Sequence, residues 1–80
     1  MEKFVLGRIR IGIAVIRHDP ALAAEIMEKI VRRALQEGEI TTAAVAIGAF
    51  KTAVECALDE QARTAFEKAV EASAGRIASA

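Results

Sequence analysis

The chain contains no tryptophan and no tyrosine, and its aromatic residues are limited to Phe4, Phe50 and Phe66. A core with so few large rings has to be filled by aliphatic side chains, and Ala, Ile and Val supply most of the 54% of residues that are hydrophobic. One cysteine, Cys56, excludes an internal disulfide, so this is not a disulfide-stapled secreted domain, and a reducing, cytoplasmic location is expected. One histidine, His18, excludes a multi-histidine metal site within one chain, and the Glu-x-x-His signature of di-iron bundles is missing. Gly7 and Gly12 stand five apart without the residues of a phosphate-cradling loop. Long uninterrupted apolar runs are lacking as well. Arg8 and Arg10 break the stretch from Phe4 to Ile16, which excludes a signal peptide, and Lys51 and Glu55 break Ile40 to Leu58, which argues against a membrane span. Net charge is zero, with 11 basic against 11 acidic residues, so no overall field draws the chain onto nucleic acid or an anionic surface.

What is present is apolar material in a small frame. Eighty residues make one domain, 1–80, and a domain of that size buries only about 60% of the surface its unfolded chain exposes. Mean hydropathy is nevertheless positive, +0.30, with 28% charged residues. Surplus apolar surface in such a chain is expected to be covered by self-association. Charge is also unevenly spread. Residues 1–18 carry Lys3, Arg8, Arg10 and Arg17 against Glu2, a net of +3, and the remainder carries −3. Arg8, Arg10 and Arg17 therefore form a candidate basic contact surface, although exposed ion pairs each contribute only about 0–1 kcal/mol.

Helix boundaries are marked by a few residues. Asp19-Pro20 reads as an N-cap followed by a proline at the first helical position. From Ala21 to Glu37 the apolar residues Ala23, Ile26, Met27, Ile30, Val31, Ala34 and Leu35 recur at threes and fours. Gly38 closes this helix as a residue free to take the left-handed conformation. Thr41 or Thr42 caps the next helix and Asp59 the last, whose face reads Ala62, Ala65, Phe66, Ala69 and Val70. The tail 74–80 is expected to fray.

Residues 3–17 fit two periods. As a helix the segment is apolar on nearly every side, with Val5, Ile9, Ile13 and Ile16 on one stripe and Phe4, Ile11 and Val15 on another. As a strand it would need a partner, because a lone strand leaves half its backbone donors unmet. The favoured fold is therefore all-α, a small bundle of four helices at about 3–17, 20–37, 41–57 and 59–73 with short connections. In the alternative, residues 4–16 form a strand paired across a dimer and followed by three helices. That arrangement resembles the ribbon-helix-helix family over residues 4 to about 57, and the resemblance implies a DNA-binding regulator with Arg8 and Arg10 on the strand face that enters the major groove. Ala34, Gly38 and Ile47 are spaced similarly to a helix-turn-helix. The helix that would then read DNA, 42–50, has almost nothing to donate to a base or phosphate, so nucleic acid is not the expected partner.

The most informative stretch is Glu39 to Leu58. It lines small residues four apart as Ala44, Gly48, Thr52 and Cys56, and again as Ala49, Ala53 and Ala57. Small residues at that spacing let helix backbones approach closely, so Ala44, Gly48, Thr52, Ala49 and Ala53 are the candidate helix-packing or oligomer interface. Val45, Ile47, Ala49, Phe50 and Val54 are expected to form the core of this helix, with Cys56 packed as a small hydrophobe. No catalytic constellation accompanies it. The carboxylate pairs Glu25 with Glu28 and Asp59 with Glu60 sit near helix starts, where the helix dipole stabilises negative charge. We therefore expect neither an enzyme nor a cofactor or metal protein. The expectation is a small cytoplasmic interaction module, a regulator, inhibitor or assembly subunit. It would associate with itself, most simply as a homodimer, and bind another protein rather than a membrane.

Overall fold

The computed structural model describes residues 3–57 and 59–79, with side chains from residue 7 onward, and within these it holds four helices: α1 Lys3–Val15, α2 Pro20–Gln36, α3 Ile40–Ala57 and α4 Glu60–Ala78. The all-α bundle is the fold, and the strand alternative for residues 4–16 is overturned. Within one chain a helix satisfies its own backbone, whereas a strand would need a second strand that the described residues do not supply. The side chains of Phe4 and Val5, which the sequence places on the stripes of this helix, lie outside the described residues.

Local chemistry accounts for the joints. The Asp19 carboxylate accepts a hydrogen bond from the Leu22 N–H at 3.1 Å, and Pro20 follows at the first helical position, where the missing N–H costs nothing. Asp59 repeats the device with the Ala62 N–H at 2.8 Å. At the other end of α2, Gly38 takes φ +74°, the Gly38 N–H donates to the Leu35 carbonyl, and the Glu39 N–H donates to that of Ala34 at 2.8 Å. That pair of bonds is a Schellman closure, and it reverses the chain within three residues. Helix α3 then begins one residue before the expected threonine caps, with the Glu39 carbonyl accepting the first bond, from Ala43. Helix α4 runs on to Ala78 rather than stopping near Ser73. Ser73 is buried and Ile77 packs beside Leu35 and Val70, so the extra turns have a surface to rest on.

The helices do not close into a ring. Helices α2 and α3 each pack against the other three, whereas among the described residues the backbones of α1 and α4 are not neighbours. The result is two three-helix groups sharing the α2–α3 pair, a flattened body of 34 × 26 × 16 Å. The main core lies where Ile9 of α1, Ile16 of the turn after it, Ala23, Met27 and Ile30 of α2, Phe50 and Val54 of α3 and Phe66 of α4 converge. Phe50 is fully buried at its centre, stacked on Phe66 with ring centroids 6.3 Å apart. Its other edge presses on α1 at Gly12, where any side chain would collide with the ring. A second cluster, Val31, Ala34, Ala43 and Ile47, joins α2 to α3 near the Gly38 turn and is covered by Val70 and Ile77 of α4. Of the two apolar stripes, the first faces the core, with Ile9 and Ile16 buried and Ile13 half-buried, whereas on the second Val15 is half-buried and Ile11 is 60% exposed.

Candidate functional site

Helix α3 is the most apolar of the four, yet only 28% of its residues are buried. With 3.6 residues per turn, the buried residues Ala43, Ile47, Phe50 and Val54 mark one face and place Thr52 and Val45 almost diametrically opposite, with Gly48 beside them. The structure divides the small residues accordingly. Ala44, Gly48, Thr52 and Cys56 are exposed, and a Cβ added at Gly48 would meet nothing within 4 Å. Ala49, Ala53 and Ala57 are half-buried against the main core. The close packing of this helix within the chain is therefore made by the alanine stripe. The glycine stripe stands free.

Two expectations are corrected here. Val45 is not a core residue but is 46% exposed, because its position falls almost directly opposite the buried face. Cys56 is exposed rather than packed, for the same geometric reason. Among the glycines, the one closely approached by a neighbouring helix is instead Gly12, where an added Cβ would meet the Phe50 ring. The available signal was a glycine inside an apolar helix, which costs about 0.5–1 kcal/mol against alanine unless a neighbour needs the space.

The outward face of α3 carries two charged residues, Lys51 and Glu55, both exposed and in no ion pair. With Val45 near its middle and Ile40, 49% exposed, at its N-terminal end, it is a predominantly apolar surface one helix long.

The basic residues do not form one surface. Arg8, Arg10 and Arg17 are all exposed, but residues two apart on a helix point about 200° apart, so Arg8 and Arg10 look in different directions. The geometry that the ribbon-helix-helix resemblance requires, both arginines on one strand face, is absent. Arg8 instead borders a shallow hollow with Lys29, Arg33, Glu37 and Glu39, where Arg33 and Glu37 pair at 3.5 Å. An open apolar hollow also lies between Pro20, Ala24, Ala62 and Phe66, with Asp19 at its rim already engaged as a cap. His18 is exposed in the α1–α2 turn. Among the described residues no three His, Cys, Asp or Glu side chains are grouped to hold a metal ion. Helix α3 is also the one described helix long and apolar enough to cross a membrane.

Comparison with protein-family models, with characterised proteins and with solved structures finds no match to this chain. The functional reading therefore rests on the residues themselves.

Proposed function

We propose that this chain is a small self-associating interaction module, a regulator, inhibitor or assembly subunit that works by binding protein in the cytoplasm and performs no chemistry of its own. The observation that carries the reading is the outward face of α3. A domain this small has little apolar surface to spare, yet it leaves its most apolar helix open along Ala44, Val45, Gly48 and Thr52. Lipid is the poorer occupant, because Lys51 and Glu55 would carry two charges into hydrocarbon. A protein helix fits better, since residues as small as Gly48 let two backbones come within about 8 Å of each other.

Light scattering coupled to size exclusion across a concentration series tests this, with far-ultraviolet circular dichroism on the same samples. The wild type should run as a dimer that dissociates on dilution. Gly48→Leu should keep full helicity, because nothing in the chain lies within 4 Å of the position, and should weaken the dimer by about 5- to 150-fold, the equivalent of about 1–3 kcal/mol of overpacking at the contact. A wild type that stays monomeric at every concentration, or a Gly48→Leu variant of unchanged mass, refutes the proposal.

A further inference from the structure

We propose that the second copy lies antiparallel on the outward face of α3, about a two-fold axis at Thr52, so that Lys51 of each chain pairs with the partner's Glu55. The inference rests on the self-association reading above and adds the arrangement of the two copies. Lys51 and Glu55 are the only charged residues of α3, both are exposed, and neither is in an ion pair. Lysine four residues before glutamate is the weaker order for pairing along one helix, so both groups are left available to a partner. A parallel copy, related by an axis along the helices, would carry the two flanks to opposite sides of the pair and leave all four charges unpaired. An antiparallel copy sets unlike charges together, and the two-fold axis makes the pairing twice.

The register follows from helix geometry. When two helices run antiparallel about a two-fold axis, residues facing each other have numbers that sum to a constant. With Thr52 on the axis, Gly48 faces the partner's Cys56, so a residue without a side chain meets a small one on both sides of the centre. Lys51 then falls within one turn of the partner's Glu55, and residues 47–57 of the two α3 helices lie side by side. Lys51 and Glu55 are about 40° apart around the helix, on the same flank of the Gly48–Thr52 line. A two-fold axis normal to the plane of the two helices keeps that flank on one side of the pair, which is what lets the unlike charges meet. Since exposed charge pairs contribute little affinity, their consequence is to select orientation and register.

Charge reversal and crosslinking test the arrangement. Lys51→Glu and Glu55→Lys alone should each weaken the dimer roughly tenfold, by placing like charges together twice. The double reversal should restore affinity to within about threefold, and an equimolar mixture of the two single variants should form heterodimers. Thr52→Cys in a Cys56→Ser background should give a covalent dimer under copper–phenanthroline oxidation, because a residue on the two-fold axis meets itself within disulfide reach. The wild type should not crosslink, since in this register each Cys56 faces the partner's Gly48. Ready crosslinking of the wild type through Cys56 would mean a parallel pair and overturn the inference. A dimer that Gly48→Leu dissociates, but that ignores both charge reversals and the Thr52 crosslink, would also overturn it while leaving the proposed function standing. A wild type that is monomeric throughout removes both.

Discussion

Glycine-to-alanine substitution at two positions of equal helical status separates the packing of this fold from its intrinsic helix preference. Gly12 and Gly48 both lie inside helices, and at either one alanine should gain about 0.5–1 kcal/mol because the unfolded chain loses freedom and the helix gains propensity. At Gly48 that gain should be realised, since the added methyl meets nothing within 4 Å. At Gly12 the methyl would lie 2.6 Å from Phe50 Cε1, closer still to Cζ, and 3.1 Å from Ile26 Cγ2. Phe50 is fully buried and already stacked on Phe66, so its ring cannot swing away without disturbing α4. Overpacking of this kind costs about 1–3 kcal/mol, and because the propensity term is common to both sites, that range is also the expected difference between the two variants. For a domain of this length it corresponds to Tm values at least about 4 °C apart. Without tryptophan or tyrosine, the assay is urea or thermal unfolding followed by far-ultraviolet circular dichroism. It should be run at a protein concentration low enough that any dimer is dissociated. Phe50→Leu, which removes the colliding ring atoms, should make Gly12→Ala less costly than it is in the wild type, a positive coupling in a double-mutant cycle. Equal stability of Gly12→Ala and Gly48→Ala would show that α1 does not rest on Phe50.

Three further substitutions probe the joints and the buried Ser73 hydroxyl, which has no hydrogen-bond partner among the described residues. Asp19→Ala and Asp59→Ala should each destabilise the fold by about 0.5–2 kcal/mol, with the asparagine variants close to wild type, because the side-chain oxygens that accept from Leu22 and Ala62 are then kept. A loss of the same size with asparagine would point to charge rather than the cap. Ser73 is 1% exposed and its hydroxyl has no hydrogen-bond partner, a burial that costs about 1–3 kcal/mol, so Ser73→Ala should raise the urea midpoint with no change in slope. A lowered midpoint would mean that the hydroxyl is satisfied.

Much of this fold was legible because its signals are local. Asp19-Pro20, Gly38 and Asp59 each fix a chain reversal by a hydrogen bond within four residues, and the buried face of α2 follows directly from its apolar period. The reading went astray where two faces of one helix were equally apolar. In α3 the small residues occur on both sides, and periodicity cannot say which side meets the core; the structure buries Phe50 and leaves Val45 and Gly48 outside. The length of α4 was missed for a related reason. Its last turns are made mostly of small residues, Ala72, Ser73, Ala74, Gly75 and Ala78, and only the long-range contact of Ile77 with the α2–α3 cluster reveals that they are held. Of the candidate interface, Ala44, Gly48 and Thr52 remain on an open face, whereas Ala49 and Ala53 are taken up by the fold itself.

Because the backbones of α1 and α4 are not neighbours among the described residues, the two ends of the chain are linked through the helices between them and the core side chains they share. Either terminal helix can open while the remaining three stay packed, so hydrogen exchange should resolve two separate sub-global openings rather than one. The shortest path between them is a single ring: Gly12 leans on one edge of Phe50 and Phe66 stacks on its face. Binding or mutation at one end is thus felt at the other in proportion to how firmly Phe50 is held, and a smaller residue there would leave a protein whose ends fold and exchange independently.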